Sequence, residues 1–341
     1  MTEKTLNDLR YTQMQQWLVS VLGHSNFSLR PASGDASFRR YFRVQTDDRT
    51  YIVMDAPPEK EDCKPFVELS AVFQKSGLHT PEVINQDLAL GYLLLSDLGE
   101  EQYLQKLNDK NVDHLYGDAL SALATLQVCA ASHYDFPLYD DTLLMNEMNL
   151  FTDWLLTRQW GVQLESKDKK MFNQVFSLLS SSARLQPQVP VHRDYHSRNL
   201  MFTTDHNPGI LDFQDAVLGP VTYDLVSLLK DCYISWPRKK IEEWVVGYHD
   251  LALQSGILSE SDEQVFLRWF DFMGVQRHLK AAGIFARLNI RDNKPAYMQD
   301  VPRTVGYIID VCKRYPELHD LHQFLSPVCE AAGISTIHDL K

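Results

Sequence analysis

The chain changes texture once, near residue 98, and that change limits the available folds more than any other feature. Before it, Leu6, Leu9, Met14, Trp17, Leu18 and Val21 recur at helical spacing, with Gly23 placed to end that helix. Phe27–Pro31, Phe38–Gln45 and Tyr51–Asp55 then read as strands, with Thr46-Asp47-Asp48 as a turn. Pro65 opens a helix bearing Phe66, Leu69, Val72 and Phe73, which Gly77 closes. Val83-Ile84 and Tyr92–Leu95 complete a set of about five strands, and Ser96-Asp97-Leu98-Gly99 is a break. Beyond it, helical spacing dominates near 112–132, 145–160, 167–183, 221–234, 238–254, 261–288 and 301–314. Asn199–Phe202 and Ile210–Phe213 predict one hairpin among those helices, turning at Asn207-Pro208-Gly209. An α+β fold with lobes 1–97 and 98–341 follows.

Composition narrows the class of partner. The 341 residues carry a formal charge of −12, so no basic field draws in nucleic acid or an anionic membrane. An anionic ligand would need locally placed cations. The five cysteines stand singly with no C-x-x-C pair, which points away from structural zinc and from a disulfide framework. The first residues, MTEKTLNDLRYTQMQQWL, hold charges and glutamines where a signal peptide needs an apolar run. No stretch approaches 18 uninterrupted apolar residues. A cytoplasmic location is expected, with no membrane and no obligate protein partner.

The densest chemistry lies in Val191-His192-Arg193-Asp194-Tyr195-His196-Ser197-Arg198-Asn199, followed by Ile210-Leu211-Asp212-Phe213. Phosphoryl transfer needs a carboxylate that takes the acceptor's proton and oxygen ligands for Mg²⁺. Asp194 offers the first, and Asn199 and Asp212 the second. The order H-R-D-x₄-N, then Asp in an apolar strand, is that of the protein-kinase catalytic loop and metal site. Two other readings are open. His192, Asp194 and His196 also spell H-x-D-x-H, a pattern open to a metallohydrolase, although such sites usually gather more ligands. A non-catalytic nucleotide-binding protein would keep the lobes and lose turnover.

With His196 after the aspartate, Asp212 followed by Phe-Gln rather than Phe-Gly, and no A-P-E downstream, the chain resembles the aminoglycoside phosphotransferase family more than the protein kinases. Asp212-Phe213-Gln214-Asp215, running to Gly219-Pro220 and Tyr223-Asp224-Leu225, matches that family's second signature. The resemblance implies a two-lobed protein-kinase-like fold, with a small antiparallel N-terminal sheet and a larger helical C-terminal lobe. It implies ATP and Mg²⁺ as cofactors, Asp194 as base, Asn199 and Asp212 on the metal, and structural roles for His192 and Asp224. On the nucleotide side it implies Ser33, Gly34, Asp35, Ala36 and Ser37 as the phosphate-covering turn, with Arg43, Glu68, Ser96, Asp97 and Leu98.

One departure stands out. The third strand, Tyr51-Ile52-Val53-Met54-Asp55, lacks the lysine that should grip the phosphates and pair with a glutamate such as Glu68. Arg39, Arg40, Arg43 or Lys60 could replace it. PASGDASFRRYFRV, VMDAPPEKEDCKPFV and QRHLKAAGIFARLNIRDNKPAYMQD are similar to the cell-wall-recycling amino-sugar kinases of bacteria, where the strand also lacks lysine. That subgroup implies an amino-sugar substrate, N-acetylmuramate or N-acetylglucosamine, phosphorylated on its anomeric hydroxyl. Other small hydroxyl compounds of the family, aminoglycoside, choline or homoserine, are the alternatives. Arg277, His278, Lys280, Arg287, Arg291, Lys294 and Arg303 make one segment basic, which suits the lactyl carboxylate of N-acetylmuramate. His196, Asp215, Arg287 and Arg291 are the expected sugar contacts.

Overall fold

A computed structural model of the chain describes residues 3–34, 38–129, 134–260 and 262–334. It forms two compact units, 1–101 with 201–214, and 102–200 with 215–341. In the first, α1 (Glu3–Leu22) precedes β1 (Ser28–Gly34), β2 (Arg40–Gln45) and β3 (Thr50–Asp55). After these come α2 (Lys64–Lys75), β4 (Val83–Asp87) and β5 (Tyr92–Ser96). The strands make one sheet in the order β1-β2-β3-β5-β4, each neighbouring pair antiparallel. Period-two alternation sends Val44, Val53, Tyr92 and Leu94 to one face, where Met14 and Leu18 of α1 cover them. Leu93 and Leu95 of β5 are equally buried on the other face, so this strand has no solvent side.

The hairpin joins this first unit, although the sequence boundary had placed it with the later helices. Its strands are short. In the second unit, β6 (Gln188–Val191) precedes them, and β7 (Leu200–Met201) then pairs with β8 (Gly209–Ile210). The strand expected over 210–213 stops at Ile210 because Asp212 takes a left-handed φ of 63°. Ile210 N–H donates to the His79 carbonyl at 2.7 Å, and Phe213 packs against Phe66 and Phe73 of α2. Gly209 lies close beneath Leu98, whose side-chain tip would have to move for a β-carbon, which would stand 2.9 Å from it.

The second unit continues with α3 (Tyr103–Lys106), α4 (Val112–Cys129) and α5 (Asp141–Leu150), which runs into a π-helix over Phe151–Gln159. α6 (Ser166–Leu185) leads to β6, and β9 (Val217–Pro220) pairs antiparallel with it. The remaining helices are α7 (Tyr223–Leu229), α8 (Arg238–Gln254), α9 (Glu263–Asp292), α10 (Val301–Cys312) and α11 (His319–Ala331). The core forms around α9, whose Phe272, Val275, Leu279 and Ala282 meet Phe151, Leu155, Phe176, Leu179, Val305 and Ile308. At Gly283 a β-carbon would come within 2.6 Å of the Leu150 carbonyl oxygen, so only glycine lets α5 approach this closely. No described helix is long and apolar enough to cross a membrane.

Candidate active site

In the second unit, the pairing of Val191 with Val217 fixes where the motif loop leaves β6. The His192 and Arg193 N–H groups both donate to the Asp224 carboxylate, at 2.6 and 3.0 Å, and Arg193 turns through a φ of 76°. A non-glycine residue pays for that conformation, and the buried carboxylate on α7 is what holds it. The Arg193 side chain donates to Glu147 at 2.5 Å, and Lys280 meets the same carboxylate at 3.1 Å. Tyr139 donates its hydroxyl to Glu147 as well. Burial raises the Glu147 pKa, but Lys280 and Arg193 outweigh it and keep the group ionised.

Further along, the buried Tyr195 hydroxyl donates to the Ala119 carbonyl at 2.8 Å, pinning the loop to α4. Ser197 donates through N–H and Oγ to Asp231, at 2.9 and 2.5 Å. Asn199 Nδ2 donates to the Asp194 carbonyl at 3.0 Å, so any ligand contact by this side chain falls to Oδ1. Asp194 is half-buried. Burial opposes its charge, but Lys280, His196, Arg277 and His192 prevail and bring its pKa down to about 2.

The H-x-D-x-H side chains do not converge as a metal cluster. His192 Nδ1 accepts the Asp194 N–H at 3.3 Å, and His196 packs edge-on to Tyr233 at 5.3 Å.

Burial pushes the Asp224 carboxyl from 3.8 up to about 6, against the pull of His192 and of the two N–H donors. The shift is upward, so between these values the folded chain keeps a proton that the unfolded chain has lost. Across that window this group's contribution to stability falls as pH rises, while the loop gains its doubly accepting carboxylate. We therefore expect activity to fall as pH drops through about 6, although this group's share of stability grows. Asp224→Asn should lower kcat and remove that acid limb from the residual activity. An unchanged limb in the variant would assign it elsewhere.

The first unit sorts the cations around the missing lysine. Arg40 stands opposite Asp55 in the β2–β3 register and donates to it at 2.9 Å, and Arg10 donates to the same buried carboxylate at 3.0 Å. Arg43 is held by Asp97, at 2.5 and 2.9 Å, and by the Gly99 carbonyl. Lys60 lies over the Phe38 ring at 4.3 Å. Arg39 meets Glu61 at 3.0 Å and comes within 3.9 Å of Asp212, whose Oδ1 also accepts from Gln214 at 2.8 Å. Of the four candidates it is the one that the structure brings beside Asp212.

Other expected contacts are dispersed. Glu68 is exposed and lies 3.6 Å from Lys64 on its own helix, so it does not stand in for a lysine's buried partner. Ser96 Oγ accepts the Glu82 N–H at 2.8 Å, and Leu98 covers Gly209. Ser33 and Gly34 end β1 opposite Tyr41 and Arg40, whereas Asp35, Ala36 and Ser37 lie outside the described residues. Asp215 is exposed and accepts from Arg193 through its carbonyl at 3.5 Å.

The cations of the basic segment lie in different surroundings. Arg291 is exposed and bonded to its neighbour Asp292 at 2.7 and 2.8 Å. Arg287 is half-buried, with Arg291 among the charges acting on it. Arg277 and Lys280 are the two residues of α9 whose charge acts on Asp194. Helical rise explains the difference, since ten residues separate Arg277 from Arg287 by about 15 Å along the axis. Glu147 and Asp231 were not singled out from sequence, and Arg277 was read within the basic segment but not among the expected sugar contacts. Glu147 and Asp231 each sit on a helix or at a helix end with a partner distant in the chain, and periodicity carries no signal for that.

Residues 28–260 match the model of the phosphotransferase enzyme family, and the chain belongs to that family. It is 45% identical over 336 residues to the N-acetylmuramate/N-acetylglucosamine kinase of Pseudomonas aeruginosa, covering 96% of this chain and 99% of the relative. The kinase of the same name from Neisseria meningitidis serogroup B is 39% identical, over 93% and 95% of the two chains. Among solved structures, choline kinase LicA from Streptococcus pneumoniae shares the fold with a TM-score of 0.60 at 11% identity, covering 88% of this chain and 99% of its own. ADP-bound aminoglycoside phosphotransferase APH(2'')-Ib does so at 0.58 and 19%, covering 86% and 97%. The fold is the α+β protein-kinase-like class.

Proposed function

We propose that this chain is an ATP- and Mg²⁺-dependent kinase that phosphorylates the anomeric hydroxyl of N-acetylmuramate and N-acetylglucosamine, a cytoplasmic step in peptidoglycan recycling. The near full-length likeness to kinases of that name carries the reading. The site chemistry is consistent with it. Asp194 is ionised throughout the neutral range and lies on a loop anchored at Asp224, Ala119 and Asp231. Its carboxylate orients the acceptor hydroxyl and takes the proton as the oxygen–phosphorus bond forms and the bond from the γ-phosphorus to the ADP oxygen breaks. A carboxylate of such low basicity takes the proton late, and the anomeric hydroxyl, the most acidic on the sugar, suits it best.

Asp212 and Asn199 offer hard oxygen donors that fit Mg²⁺, which when bound would neutralise charge on the phosphates. Lys280 and Arg277 bring positive charge to bear on Asp194. That environment disfavours a polycationic aminoglycoside and favours a neutral or acidic sugar.

A panel of sugars with ATP, read by ADP release and by NMR of the product, tests the function. Phosphate at C6, or turnover with kanamycin-like amines alone, would reject it.

Arg39 takes the place of the strand lysine in this reading, because it approaches Asp212 while Arg40 and Arg43 sit on Asp55 and Asp97. Arg39→Ala should raise the KM for ATP about 10- to 100-fold, the scale of charge-assisted hydrogen bonds. Arg43→Ala should chiefly lower Tm, since it strands the buried Asp97 carboxylate, and Arg40→Ala should do so less, because Arg10 stays on Asp55. An unchanged KM in Arg39→Ala would leave metal and backbone donors to hold the phosphates.

A further inference from the structure

The cations around Asp194 differ in what they already bind. Lys280 is held by Glu147 at 3.1 Å and by the Tyr223 hydroxyl at 3.0 Å, and Arg193 by Glu147. Arg277, one turn before Lys280 on the same side of α9, is different. It is only 5% exposed, and its Nε finds no protein acceptor. Its Nη1 reaches nothing better than Cys232 Sγ, at 3.8 Å. Among the described residues no carboxylate lies within ion-pairing distance of it, although its charge is felt at Asp194 and Asp231.

Burial disfavours the Arg277 guanidinium, and the charges that offset it, Asp194 and Asp231 among them, act at a distance, so its donors are left without a contacting anion. Two further residues near Cys232 carry unsatisfied polar groups. Arg303 donates to the Cys232 carbonyl at 2.7 Å but leaves its Nε unpaired, and the Tyr307 hydroxyl has no partner. Neutral sugar hydroxyls would not need this arrangement. A carboxylate would.

We propose that Arg277 binds the lactyl carboxylate of N-acetylmuramate and so sets the preference for that sugar over N-acetylglucosamine, an assignment that rests on the amino-sugar kinase reading above. The fork geometry of a guanidinium matches a carboxylate in a way an ammonium does not. Because Arg277 also acts on Asp194, its loss will affect both sugars to some degree. The decisive quantity is therefore the ratio of the two kcat/KM values.

In Arg277→Gln that ratio, N-acetylmuramate over N-acetylglucosamine, should fall about 10- to 100-fold, and Arg277→Lys should recover only part of it. A ligand-side comparison needs no variant. The wild-type enzyme should discriminate against the lactyl amide of N-acetylmuramate by a similar factor, whereas Arg277→Gln should treat acid and amide nearly alike. Equal loss on both sugars, or a wild type indifferent to the amide, overturns the assignment and leaves the kinase standing. A wild type that turns over neither sugar overturns the kinase reading instead. If the variants fail to fold, the amide comparison on the wild type decides.

Discussion

Asp194→Ala is expected to lower kcat by about 10²–10⁴-fold, the contribution of a positioned general base, while leaving the affinity for Mg²⁺–ATP close to that of the wild type. The expectation follows from how the loop is built. Its fold is held by Asp224, by Tyr195 on the Ala119 carbonyl and by Ser197 on Asp231, none of which is the Asp194 side chain. The contact of residue 194 with Asn199 runs through its backbone carbonyl, which alanine keeps. The loop should therefore survive, and the loss should fall on the chemical step. With its pKa near 2, Asp194 should contribute no acid limb above about pH 3, so a fall in wild-type activity near pH 6 belongs to another group. Retention of more than a tenth of the wild-type rate would remove Asp194 from the role of base.

The strands of the first unit and the long helices were readable because their signals are local. Runs of aromatic and aliphatic residues mark β2, β3 and β5, and Pro65 and Gly77 bracket α2. The loop over 191–199 was equally readable, being contiguous. Two kinds of feature were not. α11 went unread because Pro327 interrupts it, although Leu318, Leu321, Leu325 and Cys329 keep helical spacing and are buried. β6 carries Pro190 among four residues, too short for a pattern to emerge. More important for the site, a charge on a sequence has no visible partner. Arg39, Arg40 and Arg43 look alike in FRRYFRVQ, and only the register opposite Asp55 and the approach of Asp97 separate them. The same holds on α9, where Arg291 draws attention in the sequence but is paired locally, while Arg277 is buried without an anion.

Asp212→Asn is expected to reduce kcat by about 10²-fold or more, since a metal contributes several kcal/mol of transition-state charge stabilisation that depends on how it is held. The substitution keeps shape and removes one negative charge. It also presents an amide whose nitrogen cannot accept from Gln214 Nε2, which now donates to Oδ1 at 2.8 Å, nor from Arg39 at 3.9 Å. Arg39 retains Glu61 at 3.0 Å, and Phe213 stays packed on Phe66 and Phe73, so the fold has little reason to give way and Tm should move only slightly. The loss should appear in metal dependence. The Mg²⁺ concentration giving half-maximal rate should rise, and nucleotide should bind more weakly with Mg²⁺ present. Binding of nucleotide without metal should hold or tighten, because a like charge near the phosphates is gone. Asn199→Ala, which removes a neutral donor, should do less to the same titration. Identical Mg²⁺ titrations for wild type and Asp212→Asn would exclude this carboxylate as the principal metal ligand and would require the ion to be held by other oxygens.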